Sequence, residues 1–577
     1  TNKSMKKFTF LLSLLLAFVG VTASAQGLKI SDAPEGENWA ANTQWYLIRV
    51  AAIDYWHPNA GYLGTEEANL SDTDLRTDIT TVSATDKVLW CIVGSEAEGY
   101  KFYNKGEGSS KVLGVATNGK AKLYEATATD AKALTFDIAS STYDSFAKCV
   151  KCHAQNDGDY WWNNANKSGK ELCVLGTWKN NASNAGTRGN AFYFIPVSNV
   201  EEAPTVAKKV NLIDRFQFIP GVKANCAEQK TAWEANIDES SYNAYYASAK
   251  NYLDKTYYRI TNLKTGKNVL TADKTQAVCV DNAQKKNNAS AIWKFILSND
   301  GVKLYNVNTE SYLGELSGTN SPLTPMKADE AQGSFYKVNE YDTQGTYGFV
   351  LRDGNNGRMN VETTGAIDKW EGEAGAFNQV TWTIEVANEL EVALHAVNGK
   401  SYATTYLPVG VSAVTDAKAY VAATPVNNET VMTEAASFGA KTGVLLVSDN
   451  AAEKAVLTIG DVTSNVNSAL SGTLLAKDIT NSQTNYLVFG KNNADANEVG
   501  FFQPSASVTS IPANRAFFEG VASAAIALNF GGNVTAIDQV VNNANVNAPI
   551  FDLTGRRVVK AVKGGLYIQN GKKYIVK

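Results

Sequence analysis

Short segments of alternating hydrophobicity, separated by Gly, Asn and Asp turns, recur in groups of three, and the group occurs twice. The later group is the clearer. Its first unit runs from Tyr257-Tyr258-Arg259-Ile260 through Val269-Leu270 to Ile292-Trp293-Lys294-Phe295. The second runs from Lys303-Leu304-Tyr305-Asn306 through Tyr312-Leu313-Gly314 to Phe335-Tyr336-Lys337-Val338, and the third from Tyr347-Gly348-Phe349-Val350 through Met359 to Thr381-Trp382-Thr383-Ile384. The closing aromatics Trp293, Phe335 and Trp382 are 42 and 47 residues apart (293 to 335, 335 to 382). Each interval holds about four short strands at ordinary strand and turn lengths.

The same order occurs earlier. Trp45-Tyr46-Leu47-Ile48, Tyr62-Leu63-Gly64 and Leu89-Trp90-Cys91-Ile92 make one unit; Tyr100 to Tyr103, Val112-Leu113-Gly114 and Leu134 to Asp137 make the next. The third is Phe146 to Cys152, Tyr160-Trp161-Trp162, Leu172 to Trp178 and Phe192 to Ile195. Three four-strand units closing on one another make a β-trefoil. Over about residues 38 to 200 and 255 to 388 the chain resembles the ricin B-type β-trefoil lectins, with Trp-Lys-Phe, Phe-Tyr-Lys-Val and Trp-Thr-Ile where that family carries Gln-x-Trp. The resemblance implies a sugar-binding scaffold.

The expected class is mainly β, in six segments: a signal peptide with upstream residues (1–25), a first trefoil (26–200), a helical joint (201–254), a second trefoil (255–388), an all-β, sandwich-like module (389–539), and a linker with a small β tail (540–577). Lys6-Lys7, the apolar run Phe8 to Val21 and Ala23-Ser24-Ala25 follow the order of a signal peptide. No other stretch offers 18 uncharged apolar residues, so no transmembrane segment is expected in the mature chain. In the joint, Tyr242, Tyr245, Tyr246, Ala249, Tyr252 and Leu253 recur at helical spacing behind the capping residues Asp238 to Ser241, a packing stripe that docks one trefoil on the other. In the tail, Ile550 to Val558, Gly564 to Ile568 and Asn570 to Lys577 resemble a type IX secretion sorting domain. That resemblance implies a cell-surface or secreted location and the outer-membrane secretion machinery as a partner. A plain terminal hairpin is the other reading of the same residues.

Composition narrows the chemistry. Lys plus Arg (53) nearly balances Asp plus Glu (57), with no run of five like charges, which argues against nucleic acid as a partner. Three His and four Met leave little for acid/base or soft-metal work, and no Zn, Walker or nucleophile-elbow pattern occurs. Polarity comes largely from 55 Asn. Cys149-Val150-Lys151-Cys152-His153 matches the c-type haem attachment motif, but a strand here sends the two thiols to opposite faces. Disulfides or buried thiols are the expectation for the six Cys, with no cofactor. Carboxylate pairs such as Asp157 and Asp159, or Glu371 and Glu373, arise readily among 57 acids, and an accessory glycoside hydrolase remains only a remote reading.

A pyranose has an apolar C–H face and a rim of hydroxyls, so its sites pair a flat aromatic ring with Asp, Asn or Gln. The third unit of each trefoil offers both. In the first, the candidates are Asp159, Trp161, Trp162, Asn163 and Trp178, with alternation letting at most one of Trp161 and Trp162 pack inward; in the second they are Asp353, Asn356 and Trp370. The expected function is non-catalytic binding of neutral glycans. A structural or adhesion protein without sugar binding is the alternative.

Overall fold

The computed structural model describes residues 27–51, 61–65, 75–116, 119–129, 133–141, 147–153, 160–166, 173–179, 188–318, 324–340, 345–351, 357–370, 377–462, 466–492, 498–531, 549–569 and 572–575. The signal-peptide segment, Asp157, Asp159, Asp353, Asn356, Glu371, Glu373 and the linker 540–548 lie outside them.

The first repeat group forms twelve strands: β1 (Trp45–Val50), β2 (Tyr62–Gly64), β3 (Arg76–Ile79), β4 (Leu89–Ser95), β5 (Gly99–Asn104), β6 (Lys111–Val115), β7 (Ala121–Glu125), β8 (Phe136–Ser140), β9 (Lys148–Cys152), β10 (Tyr160–Asn166), β11 (Cys173–Lys179) and β12 (Phe192–Val197). Six of them close a ring. β1 pairs with β4, β4 with β5, β5 with β8, β8 with β9, β9 with β12, and β12 returns to β1 over six residue pairs, all antiparallel. The other six form hairpins β2–β3, β6–β7 and β10–β11. These hairpins meet: Leu175 N donates to Leu75 O, and Thr177 N to Gly119 O in the β6–β7 turn. A closed six-strand ring with three interlocked hairpins is a β-trefoil, and closure leaves the ring no open sheet edge.

The second group repeats this plan with β13 (Tyr258–Asn262), β14 (Lys267–Ala272), β15 (Ala277–Asp281), β16 (Trp293–Ser298), β17 (Gly301–Asn306), β18 (Ser311–Leu313), β19 (Met326–Lys327), β20 (Tyr336–Glu340), β21 (Tyr347–Leu351), β22 (Arg358–Val361), β23 (Ile367–Trp370) and β24 (Trp382–Val386). The ring runs β13, β16, β17, β20, β21, β24 and back to β13. The closing aromatics that mark the repeat have one structural task. Trp293 Nε1 donates to Leu270 O at 2.9 Å, Trp382 Nε1 to Met359 O at 3.0 Å, and Trp90 Nε1 in the first trefoil to Leu63 O at 2.9 Å. Tyr336, one residue after the Phe335 that the repeat singled out, takes this position in the middle unit and donates its hydroxyl to Gly314 O. Each buried indole thus fills the core and satisfies its one donor.

Four helices join the trefoils: α1 (Ala203–Phe216), α2 (Val222–Asn225), α3 (Ala227–Ala235) and α4 (Glu239–Lys255). Asp238 caps α4 by accepting from Ser241 N, while Ser241 Oγ accepts from Asp238 N. The stripe is a packing face, with Tyr245, Ala249 and Leu253 fully buried. These residues share one core cluster with Leu47 and Ile195 of the first trefoil and Tyr258 and Phe295 of the second. Polar ties reinforce it, from Tyr62 Oη to Ala207 O, Tyr258 Oη to Pro220 O and Arg215 Nη1 to Asp300 O.

The chain divides into two compact units, the first reaching Glu391 and including Leu457–Asp461. In the second, a ten-stranded sheet curls on itself: Tyr406 N donates to Asn514 O and Arg515 Nη1 to Thr404 O, tying the strand Lys400–Thr405 to Arg515–Glu519. Tyr402, Leu445, Leu487, Phe501 and Phe518 fill it. The tail forms a separate four-stranded antiparallel sheet of Ile550–Asp552, Arg557–Val558, Leu566–Gln569 and Lys572–Ile575.

Candidate functional site

Register decides which side chains of the third unit share a surface. Asp137 on β8 pairs with Lys151 on β9, Lys151 with Trp161 on β10, and Trp161 with Trp178 on β11. Directly paired residues in antiparallel strands point to the same face, so these four form one row across four strands. The intervening residues, Phe136, Val150, Cys152 and Trp162, point into the trefoil core.

The row is polar at one end and aromatic at the other. His153, just past β9, donates from Nδ1 to Asp137 Oδ1 at 2.5 Å, and Lys151 Nζ lies 3.8 Å from Asp137 Oδ2. Lys151 Nζ also stands 5.8 Å from the centroid of the Trp161 ring, within cation–π reach. Gly99, at φ +77°, gives the imidazole its seat: a Cβ there would come within 2.9 Å of His153 Cγ. With Nδ1 engaged by Asp137, Nε2 is the ring nitrogen that faces away from that bond. Beyond Trp161 stands Trp178, 59% exposed and the only exposed Trp among the described residues.

The sequence candidates sort differently from expectation. Trp162 is fully buried, packed against Phe102, Phe136 and Phe192, so it belongs to the core and not to a surface site. Trp161 faces the other way as alternation requires, yet it is only 6% exposed, so both indoles are buried. Lys151 lies over the Trp161 ring. Trp161 Nε1 makes no hydrogen bond. Asn163 shares the Trp161 face, but its Nδ2 donates to Asn190 Oδ1, tying β10 to the turn before β12. Trp370 is half-buried at the end of β23, opposite the buried Arg358, and its Nε1 is buried without a hydrogen bond. Asp137, Lys151 and His153 escaped the sequence reading as sugar-site residues, because they join Trp178 only through long-range register.

The haem motif does not converge. Cys152 points into the first trefoil's core, while Cys149 lies on the opposite face of the same strand, and His153 is engaged with Asp137. Burial pushes the Cys149 thiol up, away from the thiolate that metal or nucleophilic chemistry requires. All six Cys are buried, in keeping with the buried thiols that were one of the two expectations. Among the described residues no cluster of three His, Cys, Asp or Glu could hold a metal ion, and no helix is long and apolar enough to cross a membrane.

No family model matches the sequence, and no curated protein matches it. Among solved structures, the chain is similar to a mosquitocidal holotoxin at 10% identity and TM-score 0.32, covering 84% of this chain and 51% of that one, about half its length. It is also similar to the Macrolepiota procera ricin B-like lectin in complex with lactose (18% identity, 23% of this chain and 95% of that one, TM-score 0.19). A Polyporus squamosus lectin bound to a sialylated epitope matches at 11% identity over 46% of this chain and 91% of that one, TM-score 0.20. The trefoil assignment itself rests on the closed strand rings.

Proposed function

We propose that the protein is an exported, non-catalytic glycan-binding protein of the cell surface, and that the β8–β11 face of the first trefoil is its principal site. The observation that carries this reading is Trp178, a broad indole left in solvent in line with Trp161, Lys151 and Asp137. A sugar ring laid on that indole buries its C–H face, while the Asp137 carboxylate supplies an acceptor, the Lys151 ammonium a donor and His153 Nε2 a further hydrogen-bonding group for hydroxyls. The signal-like start and the sorting-like tail support a surface location and the secretion machinery as a partner.

A glycan array probed with the full chain tests this. Retention of neutral glycans is expected, reduced about tenfold by Trp178→Ala, since an aromatic contact contributes about 0.5–1.5 kcal/mol beyond its area. Retention by no glycan, or equal retention by the variant, would overturn it. An adhesion protein without sugar binding would instead hold a protein or matrix ligand that free sugars fail to displace.

A further inference from the structure

The second unit contains a groove of about 400 Å³, within the range of small-molecule sites, where the curled sheet brings Lys400–Thr405 and Tyr486–Lys491 toward Ser510–Ile511 and Arg515–Glu519. Its walls are apolar, with Tyr402, Val488, Phe489, Val508 and Ile511 along it and the Tyr402 and Phe489 rings 5.7 Å apart. Two cations, Arg515 and Lys491, and the His395 imidazole line the same groove, and among the described residues no carboxylate does. Arg515 is half-buried; its Nη1 donates to Thr404 O at 3.0 Å, and among the described residues no acid pairs with it. Burial pushes its pKa down. A guanidinium held in an apolar groove without a counter-ion is complementary to an anion, and its fork geometry suits a carboxylate.

We propose that this groove binds a single-chain amphiphile with a carboxylate head, the head on Arg515 and the alkyl chain along Tyr402, Phe489 and Ile511. The uncompensated cation selects the charge, and the apolar walls select the tail. This site lies in a different unit from the trefoil row and does not depend on it.

Calorimetric titration of the full chain with decanoate, decanol and acetate tests the idea. Decanoate is expected to bind one to one, decanol at least tenfold more weakly, and acetate not detectably. Arg515→Gln keeps a donor for Thr404 O and is expected to weaken decanoate at least tenfold while leaving decanol unchanged. Val508→Asp, at an exposed position on the groove wall, adds a negative charge to the groove and is expected to weaken decanoate at least tenfold. Absence of decanoate binding, equal affinity for decanoate and decanol, or wild-type decanoate affinity in both variants would overturn the proposal.

Discussion

Adjacent residues on β10 hold opposite roles, and mutagenesis distinguishes them. Trp162 is enclosed by three Phe rings, so Trp162→Ala should lower the stability of the first unit by about 3–5 kcal/mol, read as a drop in its urea midpoint. Trp178→Ala should leave that midpoint within about 0.5 kcal/mol of wild type, its effect falling on ligand retention. The buried thiols give a second expectation at this scale. All six should stay silent toward a thiol reagent in the native protein and react as six in denaturant; fewer than six would mean that some are bonded to each other. Alternation made the opposed directions of Trp161 and Trp162 legible in the sequence, as it did for Cys149 and Cys152. It could not show that Trp161 is buried as well, because the Lys151 that lies over its ring comes from a neighbouring strand.

At the level of elements, the repeat was readable because its closing aromatics carry a repeated task, each closing a core and satisfying a carbonyl across the unit. The helical joint was read only in part. The cap at Asp238 announced α4, whereas Val206, Val210 and Ile213, which recur on one face of α1, carried the same signal unread. Asp238→Ala should cost about 1 kcal/mol by exposing the first turn of α4, seen as a lower urea midpoint for the first unit and not the second. The β4–β5 turn reaches the candidate site through Gly99. Gly99→Ala would push His153 off its seat, so glycan retention should fall severalfold although residue 99 touches no ligand; unchanged retention would show that His153 is dispensable.

Across the whole molecule, buried acids that stay neutral in the fold set an alkaline limit. Burial raises Cys91 from 9.0 to about 12, and Tyr46, Tyr242 and Tyr305 from 10.0 to about 12. The unfolded chain therefore releases these protons first, and stability, full below about pH 9, should decline steadily between about pH 9 and 12. Urea midpoints measured at pH 8, 10 and 11 should fall in that order. The strand register has a mechanical consequence as well. In the first trefoil the opening residue Trp45 pairs with the closing residue Val197, and in the second Tyr258 pairs with Val386. A pull applied at the two ends of either trefoil thus loads its seam at one end, where hydrogen bonds part pair by pair as a zip opens, instead of all together in shear. Each trefoil should yield at low force in a stretching experiment, so that a tethered chain would lengthen under tension before its anchor gave way.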